Sequence, residues 1–256
     1  MTILNFDVII VGAGPAGASC AYELRNTSLK IAVIEKGIFP RDKICGDALS
    51  PDIINQLNWM NPELLKNFSN FAEKLPCYGV RVYGPNNRQV EFQFDAKSGL
   101  ESPGFIAKRI DFDNFLFENI KSLPNVEIFQ GVSVTDIIKT NDEVTVLSSN
   151  TTFKGKIVLG ADGAHSIVNR KLGSINVEKN HYCAGLRQYY KGVEGFHPNN
   201  LIELHFYKDS LPGYFWVFPL PNGHANVGIG MISSAISKKR VNLKTLMMDL
   251  INNHPN

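Results

Sequence analysis

Long apolar runs are absent from this 256-residue sequence. No window of about 18 consecutive apolar residues occurs, so a membrane-spanning helix is not expected, while peripheral contact with a membrane surface stays compatible with the sequence. The N-terminus lacks a Lys/Arg-led start, and Asp7 interrupts its early apolar run, so no secretory signal is expected. Cysteine is scarce: Cys20, Cys45, Cys77 and Cys183 are the four in the chain, and no two have CxxC spacing. That excludes a zinc ribbon or a thioredoxin-like redox pair and fits a reducing, cytoplasmic setting. Charge of one sign is not in excess either. Lys plus Arg total 26 and Asp plus Glu 24, a formal net charge of +2, so no basic footprint points to a nucleic-acid partner. His165, His181, His197, His205 and His224 show no metal-ligand spacing, and no metal is expected. There is no Gly-x-Ser-x-Gly elbow, no paired carboxylate set, no internal repeat and no low-complexity segment.

What is present is a foldable composition. Hydrophobic residues make up 44% and charged residues 20%, which excludes bulk disorder. The length predicts one or two domains at roughly 150 residues per domain.

Phe6 to Val11 is a continuous apolar run ending in Gly12, the pattern of a strand buried on both faces. Gly12-Ala13-Gly14-Pro15-Ala16-Gly17 follows and leads into a helical stretch to about Arg25. Lys30 to Glu35 then reads as a second short buried strand ending in an acid. Gly12, Gly14 and Gly17 thus form GxGxxG between a strand and a helix, the context in which that string signals a dinucleotide site. Gly12 permits the tight turn, Gly14 lets the backbone approach a pyrophosphate, and Gly17 lets the helix pack on the strand. The helix N-terminus offers N–H groups and a positive dipole end to phosphate. Glu35 is placed to accept hydrogen bonds from ribose hydroxyls and repels a 2′-phosphate, so the site suits FAD or NAD rather than NADP.

Further along, Ser50 and Pro51 predict a helix start by capping and first-turn preference, and Asn61-Pro62 repeats the signal. Tyr78 to Phe94 reads as a hairpin around Pro85-Asn86-Asn87. Phe112 to Leu123 reads as a helix; Val126 to Ile138, Glu143 to Ser148 and Lys156 to Gly160 read as strands. Leu201 to Tyr207, Phe215 to Leu220 and Ala225 to Ile232 predict an antiparallel sheet with one wetter face carrying Glu203, His205 and Tyr207. Val241 to Ile251 predicts an amphipathic helix. Tyr214, Trp216 and Phe218 share one face of their strand, either as sheet core or as the wall of an apolar channel.

Several of these segments together resemble FAD enzymes of the hydroxylase-type flavoprotein superfamily. The carriers are Gly12 to Ala18, Glu35-Lys36, the Arg109-Ile110-Asp111-Phe112 segment, and Asp162-Gly163 followed by Ala164 to Val168. Two motifs resemble the geranylgeranyl reductase-like branch: Arg41-Asp42-Lys43-Ile44-Cys45-Gly46, similar to R-x-K-x-C-G, and Tyr214 to Pro219, similar to Y-x-W-x-F-P, with Ala225-Asn226-Val227-Gly228 after it. The likeness spans about residues 5 to 232. It implies an α/β fold, with a Rossmann-like FAD-binding domain on a parallel sheet over 1–75 and 104–175. An antiparallel substrate-binding region is implied over 76–103 and 176–240, and a final helix over 241–256.

The resemblance also implies roles. Asp162 and Gly163 belong at the FAD pyrophosphate region; the competing role for Asp162 is helix capping. Arg109 and Arg41 are implied near the cofactor, a guanidinium being suited to phosphate oxygens. Val132 lies in a segment whose backbone meets adenine. Cys45, beside Gly46, is implied to face the active site as the candidate catalytic residue, Cys45 or a water being the candidate proton donor, although here Asp47 follows where the family often has a second glycine. Its negative charge is expected to oppose thiolate formation at Cys45. Tyr214, Trp216 and Phe218 are implied to line the substrate site. The implied chemistry is FAD-dependent reduction of carbon–carbon double bonds in an apolar isoprenoid or lipid-like small molecule, with external NAD(P)H or another reductant. A flavin monooxygenase or halogenase of the same superfamily is the alternative. Family members continue past the antiparallel sheet with a Gly-Asp motif and a Pro/Gly-rich segment. Neither occurs before Asn256, so the sequence is expected to hold the AMP end of an FAD site without the flavin end. An inactive fragment or a non-enzymatic partner chain is the third reading.

Overall fold

The structure is a computed structural model that describes residues 2–94, 103–173 and 179–253. The chain forms two compact units, one from Met1–Asp42 with Ile110–Asn176, the other from Lys43–Arg109 with Val177–Asn256. The expected division places 43–75 and 104–109 with the dinucleotide domain and sets the last helix apart, whereas all three fall in the second unit. The expected boundary between 175 and 176 lies outside the described residues. Residues 43–75 and 104–109 join the second unit because Ala48–Leu49 and Leu75–Cys77 pair with Gly104–Ile106 in one small sheet, whose Cys77 and Ile106 pack with Trp216, Phe218 and Leu220.

The first unit is built on a parallel sheet in the order Ile157–Gly160, Val8–Val11, Ile31–Glu35, Val126–Gln130. Every residue of Val8–Val11 and of Ile31–Glu35 is buried, as strands covered on both faces require. The chain moves from Val8–Val11 outward to one side, and Ile157–Gly160 arrives on the other. The end of Val8–Val11 is therefore a topological switch point, where open α/β sheets bind ligands. A second sheet, in the order Thr2–Asn5, Thr151–Gly155, Val144–Ser148, Val134–Lys139, packs a core with it through Phe6, Ile9, Ile34, Val146 and Phe153.

The second unit carries a six-stranded sheet in the order Cys183–Lys191, His224–Ile232, Gly213–Leu220, Ile202–His205, Gly79–Tyr83, Gln89–Gln93. Its pairings are antiparallel except that Ile202–His205 runs parallel to Gly79–Tyr83. Trp216, Phe218 and Leu220 pack one side with Cys77 and Ile106. Phe215, Val227 and Ile229 pack another cluster with Met247 of the helix Leu243–Asn252.

Three local expectations are corrected. The face of Ile202–His205 thought to be wet is the drier one: Glu203 is 7% exposed and His205 3%. Both are buried because each has a polar partner. Arg81 Nη1 lies 3.1 Å from Glu203 Oε1, His205 Nε2 lies 3.2 Å from Glu203 Oε2, and Tyr83 stacks on the His205 ring at 4.3 Å. Ser50 does not cap; Pro51 takes the N-cap position of the helix Asp52–Met60 and offers no side-chain bond. Ser233–Lys239 is a helix that the sequence pattern did not announce.

Candidate functional site

The glycine turn lies at the switch point. Gly12 has φ +99°, and a Cβ there would sit 2.4 Å from the Ala161 carbonyl oxygen. A Cβ on Gly17 would fall 1.8 Å from the Gly12 carbonyl oxygen. Any larger residue at either place forces strand Ile157–Gly160 or the helix Pro15–Glu23 away. Gly14 is the N-cap of that nine-residue helix, and no acidic side chain occupies its first turn. The helix start thus keeps its positive dipole end uncompensated, suited to an anion.

Glu35 closes the turn from below. It is 4% exposed; Oε2 accepts the Ala13 N–H at 2.9 Å and Oε1 the Gly37 N–H at 2.8 Å. Burial pushes its pKa up, but these two N–H donors and the Arg41 guanidinium outweigh burial and hold it below the usual value. A carboxylate has roughly four acceptor positions; Ala13, Gly37 and Arg41 engage three of them, so a further hydroxyl donor can still be taken. Arg41 Nη2 lies 3.4 Å from Glu35 Oε2, and Arg41 Nη1 lies 3.0 Å from Asp113 Oδ2. The guanidinium also lies over the Phe39 ring at 4.6 Å, and Phe39 stacks on Phe117 at 4.2 Å. Arg41 is thereby fixed beside the turn: a Cβ on Gly14 would be 3.4 Å from Nη2.

Asp162 follows the neighbouring strand. Its Oδ2 accepts the Ile167 N–H at 2.6 Å, while Oδ1 is buried and has no partner. Ser166 is the side-chain N-cap of the helix Ile167–Leu172. Asp162 therefore supports the helix with one oxygen and keeps the other as an orphaned acceptor at the switch point, which fits a hydroxyl donor. Gly163 has φ +79°, with nothing within 4 Å of a Cβ. Lys36 is exposed. Val132 donates its N–H to the Glu35 carbonyl at 3.0 Å.

In the second unit, the Cys45-Gly46-Asp47 segment lies against the aromatic strand. A Cβ on Gly46 would come within 2.7 Å of Phe218. Trp216 and Phe218 are 8% and 7% exposed, and Tyr214 is 40% exposed. Trp216 and Phe218 pack in the cluster with Cys77 and Ile106, each keeping a small exposed edge, and Tyr214 opens to solvent. Cys45 is half-buried with a free thiol. Asp47 was named only as a departure from the family pattern, yet it is 1% exposed and accepts three donors. Tyr189 Oη is 2.8 Å away, Asn226 Nδ2 2.7 Å and the Arg109 backbone N–H 3.3 Å. Asp47 has φ +70°, the left-handed region that favours glycine and is tolerated by Asp and Asn. Burial raises its pKa above the usual carboxylate value, against the hydrogen bonds from Asn226, Tyr189 and Arg109 and the charge of Arg187. The sequence signal available for Asp47 is that departure, and for Asn226 its place in the Ala225 to Gly228 motif; Asp113 and Tyr189 carry none, because their partners lie far away along the chain.

Residues 6–199 match the pyridine nucleotide-disulphide oxidoreductase family. The chain belongs to that family. Residues 184–256 match the geranylgeranyl reductase catalytic domain, which bears out the branch expected from the motifs. Menaquinone reductase of Mycolicibacterium smegmatis is 28% identical over 94% of this chain and 58% of its own. Digeranylgeranylglycerophospholipid reductase of Thermoplasma acidophilum is 28% identical over 98% of this chain and 62% of its own. The chain therefore spans about three fifths of the length of these curated relatives. A geranylgeranyl bacteriochlorophyll reductase-like crystal structure from Thermoplasma acidophilum superposes with a TM-score of 0.82 at 26% identity, covering 99% of this chain and 63% of that one. The halogenase PltM, solved with phloroglucinol and FAD, superposes with a TM-score of 0.79 at 19% identity over 98% of this chain and 56% of its own, a likeness of fold.

Membership of this oxidoreductase family gives the glycine turn, Glu35 and Asp162 a common context. The residues fit the nucleotide end of FAD: a glycine-rich turn at a helix start, an acid with one acceptor position left, a held guanidinium and an orphaned acceptor. Among the described residues no helix is long and apolar enough to cross a membrane, and no group of three His, Cys, Asp or Glu residues is placed to hold a metal ion.

Proposed function

We propose that this chain is the nucleotide- and substrate-binding part of an FAD-dependent reductase of carbon–carbon double bonds in an apolar, isoprenoid-type substrate. In this reading the pyrophosphate takes N–H groups of the turn Gly12 to Gly17, with Arg41 beside it and Glu35 on the ribose. Asp162 Oδ1 takes a hydroxyl of the cofactor, Gly163 stays bare to admit it, and Val132 meets the adenine. Arg109 is assigned to the diphosphate. FAD, when bound and reduced, supplies the hydride; an external NAD(P)H is the proposed source of its electrons. Tyr214, Trp216 and Phe218 hold the apolar substrate and exclude water, with Cys45 and Gly46 as the adjoining backbone wall. An apolar substrate is consistent with peripheral contact at a membrane surface, where Trp59 (79% exposed) and Ile44 (62% exposed) are available apolar side chains.

The observation that carries the reading is the orphaned Asp162 oxygen at the same switch point as the sterically enforced glycine turn. Support for the substrate class comes from the catalytic-domain match, which falls on the aromatic strand. The test begins with the purified chain titrated with FAD, followed by visible absorbance and flavin fluorescence. Saturable uptake near one FAD per chain is expected. Photoreduced flavin should then be reoxidised by a prenyl alkene under nitrogen. Reoxidation only in the presence of oxygen and an aromatic substrate would instead favour the monooxygenase or halogenase alternative, and absence of FAD uptake would favour the non-enzymatic one.

A further inference from the structure

Asn226 is 0% exposed and stands at the centre of the second unit's polar contacts. Trp216 Nε1 donates to its Oδ1 at 2.9 Å, and its Nδ2 donates to the Cys45 carbonyl at 2.8 Å and to Asp47 Oδ2 at 2.7 Å. An indole N–H only donates and a carbonyl only accepts, so the amide has a single workable orientation. Asp47 in turn holds Tyr189 by its hydroxyl and Ala107 through its own carbonyl, at 2.9 Å from the Ala107 N–H. Two cations stand at the Tyr189 ring, and of them Arg187 acts on Asp47 through its charge. Arg187, on the Tyr189 strand, lies 4.0 Å over the Tyr189 ring, and Lys108 Nζ lies 5.2 Å from the same ring.

We propose that Asp47 is a positioning residue for the apolar ligand: as a carboxylate it fixes Asn226, and through Asn226 it fixes Trp216 and the Cys45-Gly46 backbone as one wall. Protonation of Asp47 on either oxygen removes the charge that strengthens the Asn226 and Tyr189 hydrogen bonds to Oδ2, leaving a weaker neutral acceptor for the Asn226 amide. The Tyr189 hydroxyl can turn in response; the amide cannot, because Trp216 and Cys45 hold it from the other sides. The wall is therefore tight with Asp47 ionised and loosened with Asp47 neutral. Burial disfavours the charge, so this change occurs above the ordinary carboxylate range. The inference rests on the apolar-ligand reading proposed above.

The chain has two tryptophans, and Trp59 is exposed, so a Trp59→Phe background leaves Trp216 as the single indole reporter. Geranylgeraniol is titrated against Trp216 emission from about pH 4 to pH 8. Affinity should fall about tenfold as the pH drops through the Asp47 range, the loss expected for a hydrogen bond to a charged group. Tyr189→Phe removes a donor that favours the carboxylate, so the midpoint of that profile should move to higher pH. Asp47→Asn should bind weakly at every pH, without the midpoint. Superimposable profiles for the parent and Tyr189→Phe, or an Asp47→Asn variant that keeps the parent's pH dependence, overturn the inference and leave the ligand reading intact. Geranylgeraniol without effect on Trp216 at any pH removes both.

Discussion

Asp113 Oδ2 lies 3.0 Å from Arg41 Nη1, seventy-two residues away along the chain, and the Asp113 side chain has 0% exposure. The helix Arg109–Lys121 thus holds, by Asp113 and by the stack of Phe117 on Phe39, the guanidinium that stands beside the glycine turn. Asp113→Ala should lower unfolding free energy by about 2 kcal/mol, less than a fully buried pair because Arg41 keeps some solvent contact. ADP affinity should fall together with it, whereas adenosine affinity should hardly change. Denaturant unfolding and calorimetric titration of the two ligands check this.

Gly17→Ala should be more damaging than its single methyl suggests. The new carbon overlaps the Gly12 carbonyl oxygen, which is backbone and cannot swing aside. A loss of about 3 kcal/mol is expected in urea unfolding, with loss of FAD uptake. Gly163→Ala meets no atom and is strained only by its positive φ, so it should cost about 1 kcal/mol.

The two buried acids should respond to pH with opposite signs. Glu35 has a folded-state pKa below its unfolded value, so the stability it contributes is present above the ordinary carboxylate pKa and is lost as the pH falls through the folded one. Asp47 has a raised folded-state pKa, so its contribution is present in acid and is lost as the pH rises through that value. Comparing pH–stability curves of the parent with Glu35→Gln and with Asp47→Asn should separate the two. The Glu35→Gln curve should lose part of the acid-side fall, and the Asp47→Asn curve part of the decline above it.

Capping gives a sharper contrast. Asn61 accepts the Glu63 N–H at 2.9 Å, whereas Ser50 makes no cap bond. Asn61→Ala should cost about 1 kcal/mol in thermal or denaturant unfolding. Ser50→Ala should leave the midpoint nearly unchanged.

Segments whose meaning is local were legible in the sequence. The all-apolar strand before Gly12, the spacing of Gly12, Gly14 and Gly17, the acid at Glu35 and the alternation of Tyr214, Trp216 and Phe218 each follow from chain geometry over a few residues. The helix start at Asn61-Pro62 and the hairpin around Pro85 to Asn87 were readable for the same reason. Ser50 misled because a serine before a proline satisfies the composition of a cap without its geometry. Glu203 and His205 misled because alternation reports which residues share a face, while burial depends on whether a partner such as Arg81 arrives from another strand.

The sequence alone determined the dinucleotide turn, since only residues without a Cβ fit a carbonyl at that distance, and a glycine pattern is visible without coordinates. Tertiary structure decided what stands around it. Asp113 with Arg41, and Asp47 with Asn226 and Tyr189, are pairings set by folding across large separations, and the burial of Asp162 Oδ1 is likewise set by what packs around it. Their burial and pairing, and the raised pKa of Asp47, depend on distance in space, a quantity that residue order does not contain.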